Sequence, residues 1–211
     1  MINFFGKMFA VIFGNNSKLA TMVIAMFPII ELKGAIPVGV SREFWGESAL
    51  TEPQAFLFSL IGSCLVVPLI ALVFRPIINY MKQSKFFKKF ALVIEEKVRV
   101  SSSRIGSNSV GGGGLKRTIL KMLGVFSFVA IPLPLTGVWT GTCIAVFLGL
   151  KFWQVVLSVV LGNIVAGVLV TFVCVVFPNF TSILFLIVLA FVLVILLSML
   201  IKVLVAKKSK E

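Results

Sequence analysis

FPIIELKGAIPVGV, residues 27–40, decides how this chain is read, because Glu31 and Lys33 stand two residues apart in an apolar run broken by Pro28, Gly34 and Pro37. In a bilayer each charge costs at least a few kcal/mol near the midplane, so something must compensate it or use it. The rest of the chain says bilayer. Of 211 residues, 59% are hydrophobic and 13% charged, with a mean hydropathy of +1.13, whereas soluble domains carry roughly a quarter charged residues. The composition implies an all-α polytopic membrane protein.

Twenty Lys and Arg face seven acids, all Glu, for a net charge of +13. A soluble protein of that charge would suggest nucleic acid. On this apolar background the charge points to anionic lipid head groups and positive-inside sidedness, and no nucleic-acid partner is expected. His and Asp are missing from the sequence, which removes imidazole acid–base chemistry, Ser-His-Asp triads and most catalytic zinc sites. No enzyme, metal or cofactor is therefore expected, an embedded enzyme using Glu31 as acid or base being the third choice. Cys64, Cys143 and Cys174 sit in apolar runs without CxxC spacing and read as small core residues. The N-terminal MINFFGKMFAVIFGNNSK has no small-x-small cleavage site before Asn15 and reads as a retained short interfacial or entry helix.

A spanning helix needs about 20 apolar residues. Ala55 to Phe74, Phe152 to Phe177 and Ile183 to Ile201 meet this without a charge. The region from Lys82 to Lys121 carries ten Lys or Arg against Glu95 and Glu96, so it is expected in the cytoplasm. Its KFFKKFALVIEEKVRV forms an amphipathic helix, lying on the inner membrane surface or on the protein itself, and SSSRIGSNSVGGGG follows as a flexible linker.

Met122 to Leu150 is uncharged but interrupted by IPLPLTGVWTG, 131–141. If it crossed once, the two later spans would leave Lys202, Lys207, Lys208 and Lys210 outside, against the positive-inside rule. A re-entrant hairpin keeps Lys121, Lys151 and the C-terminus on the cytoplasmic side. Pro132, Pro134, Gly137 and Gly141 suit its tip. The opening stretch fits a second hairpin, since Leu19 to Ile30 is too short to span; charges alone also allow a single crossing there. Arg75 and Lys151 are read as snorkelling anchors at cytoplasmic ends.

An internal repeat favours two hairpins. FPIIELKGAIP then SLIGSCLVVP in the first half matches IPLPLTGVWTG then VLGNIVAGVL in the second, aligning Gly62-Ser63 with Gly162-Asn163. Ser63 and Asn163 are read as polar packing contacts between spans. If each half is a hairpin plus a span, the hairpins enter from opposite faces, an inverted-topology repeat of the kind transporters use. The fold expected is thus an inverted repeat of re-entrant helical hairpin plus transmembrane helix, with an extra C-terminal transmembrane helix. One membrane domain would comprise a first half at 1–80, the basic amphipathic helix and linker at 81–117, a second half at 118–178, and the last helix with its basic tail at 179–211.

Non-helical backbone at membrane depth is tolerated only inside protein or beside a watery cavity. Glu31 and Lys33 would face such a cavity, pairing with each other or with Thr136, Trp139 and Thr140 of the other tip. Two readings stay open. The pair holds a hairpin closed, or Glu31 takes up a proton or a cationic substrate while Lys33 meets an anionic head group.

With ELKGAIP (Glu31, Leu32, Lys33, Gly34, Ala35, Ile36, Pro37) and PLPLTGVWTG (Pro132, Leu133, Pro134, Thr136, Gly137, Trp139, Thr140, Gly141) in hand, the chain resembles the small multidrug export protein family of prokaryotic inner-membrane proteins. Leu135 stands where that family's pattern has a small residue, often glycine. A more distant similarity is to the DedA superfamily, whose members have facing re-entrant hairpins, though that group's second glutamate after two prolines is missing here. The resemblance implies a multi-pass transporter of the prokaryotic cytoplasmic membrane, for drug export or lipid translocation, with an unidentified small-molecule or lipid substrate. A homodimer is compatible with it. The substrate or proton site would comprise Glu31, Lys33, Gly34, Pro37, Pro132, Pro134, Thr136, Gly137, Trp139 and Thr140. The rival reading is a non-transporting membrane scaffold or envelope-homeostasis protein.

Overall fold

A computed structural model of the chain describes residues 13, 14, 16–82, 113–133 and 135–177. Every regular element among them is helical. Asn16 caps α1 (Ser17–Met26) by accepting the Leu19 N–H at 3.1 Å. A turn at 27–30 leads into α2 (Glu31–Val40), which ends on the short α3 (Arg42–Trp45) and one 3₁₀ turn. The long α4 (Glu52–Lys82) follows. After the undescribed 83–112 come α5 (Gly113–Ala130), a loop, α6 (Val138–Phe147) and α7 (Phe152–Val176). Each half therefore runs from a first helix (ten residues in α1, 18 in α5) through a break to a ten-residue helix and then a long one, the first half adding α3 and the 3₁₀ turn before α4.

Two of these helices are long and apolar enough to cross a membrane: the 26 residues Glu52–Ile77 of α4, and the 25 residues of α7. At 1.5 Å per residue each reaches roughly 38 Å, beyond the ~30 Å hydrocarbon thickness. The expected spans at 55–74 and 152–177 thus correspond to α4 and α7, and α4 continues well past Phe74 despite Pro68 and Pro76. The expected span at 183–201, the amphipathic stretch after Lys82 and the N-terminal interfacial helix lie outside the described residues. The linker ends earlier than its composition suggested, because Gly113 and Gly114 already belong to α5. First-turn N–H groups need no intrahelical partner, so glycine is least disruptive there.

The two long helices are antiparallel. Leu50 and Ala55, before and within the start of α4, pack with Val170 and Cys174 near the end of α7, over Leu32 and Ile36 of α2. At the other end Val67 and Ala71 of α4 pack with Val155 and Val159 of α7, over Val138 and Ala145 of α6. Midway, Asn163 Nδ2 donates to Ser63 Oγ at 2.7 Å, the interhelical polar contact that the aligned pair implied. Both α2 and α6 touch both long helices, so each half's second helix also packs on the other half's span.

Close approach explains the aligned glycines. A Cβ on Gly62 would run into the backbone of Met22 in α1, and one on Gly162 into the backbone of Phe126 in α5. The same position of each long helix thus receives the first helix of its own half. Alanine at either position is expected to destabilise the protein by about 1–3 kcal/mol through overpacking. Gly124→Ala, on a helix surface with open space around it, should instead be neutral or stabilising by up to about 1 kcal/mol. Thermal unfolding of the three variants in detergent checks this ordering.

Candidate functional site

The two helix breaks meet each other. Glu31 opens α2 and is only 5% exposed. Its Oε1 accepts the backbone N–H of Trp139 at 3.1 Å. Trp139 is the second residue of α6, whose N-cap, Gly137, has no side chain to offer. A carboxylate from the other half therefore caps α6 and sits at the positive end of its dipole, a placement worth up to about 2 kcal/mol when partly buried. A Cβ on Gly137 would overlap the Glu31 carboxylate. Glycine at this position is what lets the acid in.

Lys33 completes the junction. Its Nζ lies 3.7 Å from Glu31 Oε2 and donates to Leu133 O at 2.8 Å and Thr136 Oγ1 at 3.2 Å. In return the Trp139 indole N–H donates to Met26 O at 3.0 Å, the end of α1. Two halves about a hundred residues apart are thus joined by contacts running both ways. A buried ion pair at 3.7 Å gains little against desolvation costs of several kcal/mol per ion unless further hydrogen bonds help, and here both charges have them.

The backbone at both breaks is unusual. Ile29, Glu31 and Leu135 have φ of 82°, 49° and 68°, a region disfavoured for side chains with a Cβ and most of all for a β-branched one. Leu135 is the residue that departs from the resemblance, and its φ shows why glycine would suit that position. Thr140 Oγ1 donates to Leu135 O at 2.5 Å, and Thr136 Oγ1 lies 2.6 Å from Ile131 O, so the two hydroxyls hold the loop's carbonyls.

Of the residues singled out from sequence, Glu31, Lys33, Thr136, Gly137 and Trp139 come into direct contact. Thr140 shapes the loop from one turn away, and Pro132 is exposed in it. Gly34 and Pro37 lie buried inside α2, behind the junction. Pro37 has no N–H for the Lys33 carbonyl four residues back. Pro134 lies outside the described residues. Two details differ from expectation. Trp139 reaches Glu31 through its backbone and gives its indole to Met26, and Thr140 bonds its own loop. Sequence reasoning missed Met26 and Leu133, because they contribute backbone carbonyls and those carry no side-chain signature. It read Arg75 as a snorkelling anchor and Lys121 as a cytoplasmic flank, without foreseeing that Lys121 donates to Leu148 O at 2.8 Å and Arg75 to Leu150 O at 3.1 Å just past the end of α6. Arg75 is therefore tied to protein.

A largely buried acid–base pair lies where two helix breaks meet, among described residues whose regular elements are all helical and include two helices of membrane-spanning length, and this points to a membrane protein with an internal polar site. The family model described as "Putative small multi-drug export protein" matches residues 31–169 of the 211. The chain belongs to that family, and the match begins at Glu31 and takes in both tips. No curated protein and no solved structure matches it.

Gly137→Ala is expected to break the Glu31 cap and lower stability by about 1–3 kcal/mol or more. Leu135→Gly should stay within about 1 kcal/mol of the parent, since relieved backbone strain offsets the added chain entropy, whereas Leu135→Val should lose more than that. Detergent-solubilised melting curves for the three variants test the geometry of both tips.

Proposed function

We propose that the protein is a small exporter of the cytoplasmic membrane, in which α1–α2 and α5–α6 are re-entrant hairpins entering from opposite faces and meeting near the midplane as an inverted repeat. The observation that carries this is the junction itself: one acid and one base, both largely buried, bridge two helix breaks from the two halves. Interrupted helices whose ends face each other are how secondary transporters build midplane sites. The family's description as an export protein supports the direction and the drug-like substrate class. On this reading Glu31 exchanges the Trp139 N–H for a proton or a cationic substrate, and the arrangement described is the closed state. The end bearing Arg75, Lys121 and Lys151 faces the cytoplasm, as does the C-terminus.

Lipid translocation through the same hairpins is the second transport reading. What favours it is the exposure of Phe27, Ile131, Leu133 and Leu135 around the polar junction, which suits a substrate with both a polar head and an apolar tail. The non-transporting scaffold is favoured by a different observation: Glu31, Lys33 and Trp139 find partners within the protein, in each other and in the Leu133 and Met26 carbonyls.

Glu31→Gln separates transport from scaffold. The amide oxygen can still accept from Trp139 N–H, but Lys33 loses its counter-charge and keeps only Leu133 O and Thr136 Oγ1, so the variant is expected to be less stable and its activity is compared at matched abundance in membranes. Transport predicts that it nonetheless loses protection against cationic dyes, or leaflet redistribution of labelled phospholipid, to the level of cells without the protein. An abundant Glu31→Gln protein with full activity in both assays would leave the pair a structural latch and sink the transport reading. Dye protection without altered leaflet composition assigns drug export, and the reverse assigns lipid movement.

A further inference from the structure

We infer that the end of the molecule where α4, α5 and α7 converge is a binding site for the phosphate group of an anionic phospholipid. Three cations from three helices gather there. Arg75 near the end of α4 and Lys121 of α5 donate to carbonyls two residues apart, Leu150 O and Leu148 O, and Lys151 is the next residue along. Like charges drawn onto one turn repel unless an anion joins them. Among the described residues no acid lies at this end: Glu31 is at the central junction, and Glu43, Glu47 and Glu52 are in or beside the turn at the opposite end of α4.

Two further observations point to a ligand. Arg75 Nε is buried and has no hydrogen-bond partner among the described residues. A buried unsatisfied donor on a charged group is costly, and an acceptor brought from outside relieves it. The N-terminus of α7 begins at the same turn: Gln154 Oε1 accepts the Lys151 N–H at 2.8 Å, while Lys151 at the N-cap position has no acceptor to offer the first helical N–H groups. Free helix N–H groups beside two or three cations are a ready phosphate site.

A lipid is the source this surroundings fit best. Trp153, in the first turn of α7, is 71% exposed, and Leu123 on α5 is 54% exposed. An exposed indole at the end of a membrane-length helix marks the head-group layer. Arg117, one turn before Lys121 on the same face of α5, is exposed and adds a fourth positive charge. Basic clefts between spanning helices are a recurrent form of head-group recognition. The structural duty of Arg75 and Lys121, holding the carbonyls after α6, occupies only part of their donor capacity.

The test uses the full-length protein in phosphatidylcholine nanodiscs, titrated with phosphatidylglycerol, with further phosphatidylcholine, or with inorganic phosphate. Bound lipid is read by native mass spectrometry and stability by melting temperature. Phosphatidylglycerol should be retained and raise the melting temperature, while the other two do not. Lys151→Gln, at an exposed position with no ion pair to a described residue, should weaken phosphatidylglycerol retention roughly fivefold without changing melting in phosphatidylcholine. Lys18→Gln at the opposite end should leave retention unchanged. Arg75→Gln should also weaken it, its melting in phosphatidylcholine exposing any loss of fold. Equal stabilisation by inorganic phosphate would reassign the site to a free anion and overturn the lipid. Unchanged retention in both Lys151→Gln and a folded Arg75→Gln would overturn the site.

Discussion

Everything at the centre of this molecule depends on how the ends of α6 are satisfied. This ten-residue helix, Val138 to Phe147, carries no charge of its own and is packed between the two long helices and α5. In an apolar interior, unpaired N–H groups at one end and carbonyls at the other each cost energy comparable to a lost hydrogen bond, and the helix dipole adds charge to both. The chain answers with side chains from elsewhere. Glu31 of the first half meets the N-terminus, and Lys121 and Arg75 meet the carbonyls just past the C-terminus. A short helix held this way is fixed by charges that lie outside it.

The local peculiarities follow from that arrangement. To reach Trp139, Glu31 must leave the turn at 27–30 at a particular angle, and the chain adopts positive φ at Ile29 and at Glu31 itself. To receive the carboxylate, the other half must have glycine at 137. To keep the acid charged beside apolar neighbours, a base must lie within reach, and Lys33 is two residues on, anchored to the opposite loop through Leu133 and Thr136. Strain at isolated backbone positions costs on the order of 1–3 kcal/mol and persists only where surroundings over-determine it. Here the surroundings are the contacts that join the halves.

How much of this was legible in the sequence depended on the kind of group involved. The long helices announced themselves as uncharged runs, and Gly62 and Gly162 could be aligned because close helix packing leaves small residues as its trace. The Ser63–Asn163 contact was legible because polar side chains are rare in such helices and seek each other. Glu31, Lys33, Thr136, Gly137 and Trp139 stood out as charges, hydroxyls and breakers in apolar surroundings. What could not be read was which atom would do the work. Trp139 binds Glu31 with its backbone, and Met26 and Leu133 act through carbonyls that every residue owns. Helix boundaries also shifted. Composition marked Gly113 and Gly114 as linker, whereas they form the first turn of α5, with Gly114 exposed and open space around it.

The closeness of the junction also constrains what transport would require. Separating the tips removes Glu31 from Trp139 and Lys33 from Leu133 and Thr136 at once. The Glu31–Lys33 pair travels together on α2, so what is lost is the hydrogen bonds each makes to the other tip, and every buried group left unsatisfied costs about 1–3 kcal/mol, more where it is charged. A substrate that merely fitted the gap would not open it. It must offer a donor to Glu31 as good as the backbone N–H of Trp139, or a proton must neutralise the carboxylate so that the cap weakens. Lys33 then needs an acceptor to replace Leu133 O, which an anionic or carbonyl-bearing head supplies and a simple cation does not. The same two residues thus ask different things of a drug-like cation and of a lipid. For the cation, Lys33 has to stay on its loop while Glu31 moves; for the lipid, both partners exchange together.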